Sequence, residues 1–356
     1  MRIAFFGTKD YDEKWFKKLN ENYGYEIKYL KPKLSSETLS LANGYDAVCT
    51  FVDTAVTSQM LKYMKDNSIK LLLLRCAGYN NVDLQAAKEN GIIVLRVPAY
   101  SPEAVAEHAM TLAMAANRRI HKAYNRVRDN NYSLSWLNGI TLYGKTAGII
   151  GTGKIGSCMA RICKGIGMEI LLADPYPDEE LAKKSGARYV SIEELIKESD
   201  LISLHCPLTN DTENLINKDT IASMKDGVIL VNTSRGGLIN TQDLINGIKA
   251  NKFHAVALDV YKEEDGLVFD DMSNVILETT ITARLLSFPN VILTSHQAFL
   301  TNEALCEIAG TTLENVKLYE NGQPLIPPHM SIFSLVKGEK RTRSVRNANV
   351  EEGRPE

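Results

Sequence analysis

Short apolar runs, each followed by a polar stretch of helical character, recur along most of this chain, and that alternation confines it to a parallel α/β architecture. In the first hundred residues the runs are RIAFFG, DAVCTFV, KLLLLRCA and GIIVLRVP. From about residue 140 a second series begins: TAGIIG, EILLAD, LISLHCP, GVILVN, HAVALDV and NVILTS. Runs this uniformly apolar suit strands covered by helices on both faces. The 356 residues allow two such domains, so two doubly wound parallel sheets are expected.

Between the series, VPAYSP breaks the pattern. Ser101 can cap a helix whose first position is Pro102, with Glu103 well placed in the first turn. The helix is expected to continue through EAVAEHAMTLAMAANRRIHKAYNRVR. Its closely spaced alanines permit tight packing, either inside its own domain or against a second subunit. The helix NEALCEIAGTTLENVKLYENG near the end is expected to return to the first domain. The tail from Pro327 is polar and charge-dense after SIFSLV, which predicts disorder over 331–356.

The first run of the second series leads into GIIGTGKIG, where Gly151, Gly153 and Gly156 stand in G-x-G-x-x-G spacing before a helix-compatible stretch. The first glycine permits a tight turn, the second lets a pyrophosphate approach the backbone, and the third lets helix and strand pack closely. The helix N-terminus then faces the phosphates. Asp174 ends the next run, eighteen residues past Gly156. A carboxylate there would bind the adenosine ribose hydroxyls and repel a 2′-phosphate, which favours NAD over NADP. The second series therefore reads as a Rossmann NAD-binding domain at 101–299. It would be inserted in a flavodoxin-like substrate domain made of 1–100 and 300–330.

Three polar residues stand just beyond three later runs: Arg235 after GVILVNTS, Glu264 after FHAVALDV and His296 after NVILTS. In an open parallel sheet, ligands gather outside the carboxyl ends of the strands. Taken singly, each residue has a plain structural reading: a loop ion pair, a solvated acid, a helix cap. Together, beside a nicotinamide, they form a chemical set. Hydride transfer to a carbonyl requires a proton at its oxygen, and an imidazole titrating near neutrality can supply it. A carboxylate partner favours the charged ring and fixes its orientation, a role for Glu264. A guanidinium holds a carboxylate through two parallel bonds and polarises an adjacent carbonyl, a role for Arg235. The set describes reduction of a 2-keto acid.

The chain resembles the D-isomer-specific 2-hydroxyacid dehydrogenase family, and within it the D-lactate dehydrogenase branch. The likeness covers roughly residues 1–325 and is carried by VPAYSPEAVAEHA, GKTAGIIGTGKIG, LHCPLTNDTENLIN, MKDGVILVNTSRGGLIN, ALDVYKEE and SHQAFLT. It implies that Arg235 anchors the substrate carboxylate, His296 donates the proton and Glu264 is its partner. It also implies cofactor contacts at Lys154 and Ile155, at Cys206, Pro207 and Thr212 on the adenosine and phosphate side, and at Thr233, Ser234 and Asp259 along the nicotinamide half. Backbone groups at Ala77 and Gly78 would meet the substrate carboxylate, and Tyr100, Phe299 and, more weakly, Phe51 would wall the pocket. A homodimer built on the cofactor domains is implied as well.

Several residues depart from the family pattern or compete with it. Asp265 stands after Glu264 where many members have proline, and Ser295 precedes His296 where proline is usual, which leaves the rigidity of that loop open. Glu263 rivals Glu264, but Glu264 keeps the family's interval of five from Asp259. His205 could touch the cofactor pocket or be a strand-end histidine satisfied by hydrogen bonds. Pyruvate is the expected substrate, with a bulkier 2-keto acid such as 2-ketoisocaproate or phenylpyruvate as the alternative. A nucleotide-sensing, corepressor-like binding protein is the rival from another class, and its mark would be loss of one of the three residues or a partner-binding groove.

Composition excludes other readings. Net charge is -2, so nucleic acid is not an expected partner. No apolar run approaches the roughly 20 residues that span a bilayer, and MRIAFFGTKD lacks the apolar core of a signal peptide. Six cysteines without C-x-x-C or zinc spacing, and six scattered histidines, argue for reduced thiols in the cytoplasm and against a metal site.

Overall fold

The computed structural model describes residues 1–264, 267–276, 280–323 and Leu325. Asp265 and the tail over 331–356 lie outside the described residues. The described residues divide into two compact units, one of residues 1–98 with the described residues from Ala309 onward, the other Ala99–Ile308.

The first unit is a five-stranded parallel sheet of β1 (Arg2–Phe6), β2 (Glu26–Leu30), β3 (Ala47–Thr50), β4 (Leu71–Leu74) and β5 (Ile93–Arg96). Its order, β2-β1-β3-β4-β5, is the flavodoxin-like arrangement. Helices α1 (Asp10–Asn20), α2 (Ser58–Asp66) and α3 (Leu84–Glu89) connect the strands. The β2 strand escaped the sequence reading because EIKYL alternates charged and apolar residues along the sheet edge. The last helix among the described residues, Asn302–Glu320, crosses the division between units, and its Ala309, Leu313 and Val316 pack with Ile3, Phe5 and Phe16.

The second unit carries α4 (Pro102–Asn117), α5 (Ile120–Arg128), β6 (Thr146–Ile150), α6 (Lys154–Ile166), β7 (Glu169–Ala173), α7 (Glu179–Ser185), β8 (Arg188–Tyr189) and α8 (Ile192–Glu198). It continues with β9 (Leu201–Leu204), α9 (Lys218–Ser223), β10 (Val228–Asn232), α10 (Thr241–Lys249), β11 (Phe253–Leu258), α11 (Thr280–Ser287) and β12 (Val291–Leu293); the closing helix is α12. All strands are parallel, in the order β12-β11-β10-β9-β6-β7-β8. Counted from β6 this is the doubly wound dinucleotide order 3-2-1-4-5-6 with one more strand at the edge. The sequence reading found six of these strands; the two-residue β8 was too short to leave a pattern. Val228 to Val231 of β10 are fully buried, and each such side chain contributes about 1.5–3 kcal/mol.

One expectation is corrected. The helix from Pro102 stops at Asn117, and α5 is a separate helix entered through Arg119 in left-handed backbone at φ +50°. The reason is Asn117, whose side chain is buried and bonds both ways with the Ile140 backbone, donating to its carbonyl at 2.8 Å and accepting from its N–H at 2.9 Å. The start is as expected: Ser101 Oγ accepts from Ala104 N–H at 3.2 Å ahead of Pro102. The alanines of α4, Ala106, Ala109, Ala113 and Ala116, are buried within their own unit beside Met159 and Ala160 of α6.

Candidate active site

The order of the second sheet reverses between β6 and β9, and the fingerprint glycines come after β6 at that point. Gly151 has φ +90°, and a Cβ there would lie 2.5 Å from Cys206 N, so only glycine fits. A Cβ on Gly156 would meet Gly151 O at 1.9 Å, whereas one on Gly153 would meet nothing within 4 Å. The first and third glycines thus serve the fold, while the second leaves open space at the N-terminus of α6, as a pyrophosphate needs. Lys154 and Ile155 form the first turn of that helix. Asp174, just after β7, accepts from Thr152 N at 2.7 Å and from Tyr176 N at 2.8 Å, which ties its carboxylate to the fingerprint loop.

The other expected cofactor positions surround the same sheet edge. Ser234 Oγ donates to Cys206 O at 2.7 Å, linking the chain after β9 to the chain after β10. Thr212 Oγ1 donates to Pro207 O at 2.7 Å and closes the turn between them. Burial pushes the Cys206 thiol up to about 11. Thr233 Oγ1 is buried without a hydrogen-bond partner among the described residues, a polar atom left for a ligand. His205 bonds Ser203 Oγ through Nε2 at 2.8 Å, and burial pushes its pKa down to about 4. That bond satisfies one ring nitrogen, as the strand-end reading expects.

Arg235, Glu264 and His296 stand just past the neighbouring strands β10, β11 and β12. His296 Nδ1 and Glu264 Oε1 are hydrogen-bonded at 3.1 Å, both side chains largely buried. Glu263, the rival, instead accepts from Thr241 Oγ1 at 3.0 Å. The guanidinium of Arg235 donates to Ser234 O at 2.6 Å and makes no ion pair among the described residues, so its charge is available to an anion.

His296 sits in left-handed backbone at φ +49°, a conformation costing roughly 1 kcal/mol or more and held only by strong surroundings. Asp259, just after β11 and 0% exposed, supplies them. Its carbonyl accepts from His296 N at 2.9 Å, and its carboxylate accepts from Gln297 N at 3.0 Å and Ala298 N at 2.9 Å. Thr294 Oγ1 adds a short hydrogen bond to the same carboxylate, and His108 Nε2 of α4 lies 3.2 Å away. Burial alone would raise the Asp259 pKa, but the bonds from His108, Thr294 and Gln297 outweigh it and leave the carboxyl below its usual value. The loop that carries Ser295 in place of proline therefore takes its rigidity from Asp259.

Aromatic rings stand beside the imidazole. Phe269 lies 5.9 Å from the His296 ring and 6.3 Å from Phe299, which in turn meets Tyr100 at 6.4 Å, centroid to centroid. Phe269 and His108 were missed by sequence reasoning: Phe269 lies in no recognisable motif, and His108, although inside VPAYSPEAVAEHA, reaches the site only through folding. Ala77, Gly78 and Phe51 belong to the first unit, in turns after β4 and β3. There Ala77 O accepts from Arg96 Nη1 at 2.6 Å, and the Arg75 guanidinium lies 4.9 Å over the Phe51 ring.

A parallel sheet with a glycine fingerprint at its switch point and a cation, an acid and an imidazole along its edge matches a known family model, described as the D-isomer specific 2-hydroxyacid dehydrogenase, NAD binding domain, over residues 110–298. The chain belongs to that family. It is 49% identical over 323 residues to the D-lactate dehydrogenase of Escherichia coli, covering 91% of this chain and 98% of the relative. The apo-structure of D-lactate dehydrogenase from Escherichia coli superposes with a TM-score of 0.84 at 48% identity, over 91% of this chain and 98% of that one. The pyruvate reductase of Chlamydomonas reinhardtii gives 0.87 at 41% identity with the same coverage. Like the family, the chain is an NAD-dependent oxidoreductase acting on the CH–OH group of a 2-hydroxy acid. No helix among the described residues is long and apolar enough to cross a membrane.

Proposed function

We propose that the protein is an NAD-dependent D-lactate dehydrogenase that interconverts pyruvate and D-lactate, with Arg235, Glu264 and His296 as its working side chains. The observation that carries this reading is the His296–Glu264 pair at 3.1 Å, one strand away from an arginine without a carboxylate partner among the described residues. NADH, when bound along Gly151–Gly156, Asp174 and Thr233, supplies the hydride. Arg235 binds the pyruvate carboxylate through two parallel N–H bonds and draws charge onto the keto oxygen. His296 gives its proton from Nε2 to that oxygen as the alcohol forms, while Glu264 holds Nδ1–H and stabilises the charged ring before transfer. In the oxidation direction the same imidazole takes the proton back. Tyr100 and Phe299 wall the pocket.

The similarity to relatives named D-lactate dehydrogenase and pyruvate reductase supports pyruvate as the substrate. Steady-state rates with pyruvate, 2-ketoisocaproate and phenylpyruvate decide the substrate: kcat/KM is highest for pyruvate, and a preference for either bulkier acid would reassign it. His296→Ala tests the proton donor, and turnover at the wild-type rate would remove His296 from that role.

The protein works as a homodimer in this reading, and an apolar surface of the second unit supports it. Helix α5 has no buried residue, and beyond it Leu134 and Trp136 are 80% and 84% exposed. A cleft of about 780 Å³ is lined by Leu134 together with Met114, Ile120, Leu137, Ile140 and Tyr143. Exposed apolar surface of this extent supports a protein contact there. Light scattering on eluting protein gives twice the mass of one chain, and a single-chain mass at micromolar concentration would contradict it. None of the six cysteines is in a disulfide, which suits a reducing, cytoplasmic compartment.

A further inference from the structure

The buried carboxylate of Asp259 accepts hydrogen bonds from the His296 loop, and one of its other partners comes from a distant stretch of chain. His108, in the second turn of α4, is separated from Asp259 by 151 positions. Its Nε2 lies 3.2 Å from Asp259 Oδ1 and 3.3 Å from Thr294 Oγ1. It is the one basic side chain within ion-pair distance of Asp259 among the described residues. A fully buried carboxylate without compensation favours its neutral form, which would cost it acceptor strength toward Gln297 and Ala298.

We infer that His108 is a positioning residue for His296, acting through Asp259. By donating Nε2–H to Asp259 Oδ1, it holds the carboxylate ionised and oriented. Both oxygens then accept the N–H groups just past His296, and the imidazole keeps its left-handed backbone and its bond to Glu264. Helix α4 is a suitable support, since its alanines are buried against the sheet and its position is fixed by packing. The inference rests on the proposed role of His296 for its kinetic consequence, but not for the structural one.

Three substitutions test it. Glutamine places an amide N–H at about the reach of Nε2, asparagine stops short at the reach of Nδ1, and alanine removes the donor. A displacement of about 1 Å in a reacting group costs on the order of 10²-fold in rate. His108→Ala and His108→Asn should therefore lower kcat by roughly ten- to a hundredfold, with NADH affinity by fluorescence titration changed less than about twofold, and His108→Gln should return kcat to within about threefold of wild type. Hydrogen exchange read at Gln297 and Ala298 should quicken in the alanine and asparagine variants and stay at the wild-type rate in the glutamine variant. Wild-type kcat in His108→Ala would overturn the inference. So would loss of NADH affinity together with kcat, or a glutamine variant no better than alanine. If wild-type protein reduces no 2-keto acid, the dehydrogenase reading fails, while the exchange rates still decide whether His108 holds the loop.

Discussion

Gly153 and Gly156 belong to one fingerprint but should respond to alanine in opposite ways. A Cβ at Gly156 would sit 1.9 Å from Gly151 O, so that oxygen would have to withdraw by about 1.5 Å to reach an ordinary contact of 3.4 Å. Neither side can yield cheaply: Gly151 is pinned against Cys206 N, and α6 is locked by buried Cys158, Met159, Ala160 and Cys163. Overpacking against backbone should cost about 3 kcal/mol, the upper part of the usual range. For a domain of this size that is roughly 6–12 °C in Tm. Gly153 has φ −64° and open space around its Cβ position, so Gly153→Ala should leave the ligand-free Tm unchanged. Its cost should appear only on binding, as a rise of about tenfold or more in the NADH dissociation constant, because the new methyl occupies the path of the pyrophosphate. Thermal scans without ligand, and then NADH fluorescence titration, measure both. A Gly153→Ala variant that melts early without ligand, or binds NADH as well as wild type, would refute this division of labour.

Other substitutions probe separate parts of the site. Arg235→Lys keeps the charge but loses the planar fork, and kcat/KM for pyruvate should fall by about 10²-fold; an unchanged value would remove the bidentate anchor from the account. Asp174→Ser removes the charge that disfavours a 2′-phosphate, so the ratio of kcat/KM for NADPH over NADH should rise at least about tenfold, and a constant ratio would contradict the assignment. His205 has its pKa pushed by burial from the ordinary 6.5 to about 4, so the unfolded chain binds the extra proton between those values. Its contribution, about 3 kcal/mol, is fully present above pH 6.5 and is lost as pH falls toward 4. His205→Gln should flatten that part of the stability curve, as seen by urea unfolding at pH 7 and pH 5.

Much of this was legible in the sequence for local reasons. Buried parallel strands need apolar residues on both faces, so VILVN and LISL announced themselves, and the fingerprint is a local motif whose spacing is its geometry. Arg235, Glu264 and His296 could be read because parallel strands deliver the residues beyond their carboxyl ends to a common edge. The features that stayed hidden depended on distant contacts or on half-exposed surface. Strand β2 presents Glu26 and Lys28 to solvent, and β8 has only two residues. The break after Asn117 rests on a bond to Ile140, and the support of His296 rests on His108. None of these leaves a periodic trace. The second glycine is the instructive case: nothing in the fold requires it, and only a ligand explains it.

The most direct test of the central claim is the stereochemistry of the product. Purified protein supplied with NADH and pyruvate should consume them one for one and yield lactate that chiral chromatography resolves as the D enantiomer. L-lactate, a racemic product, or no turnover would contradict the account.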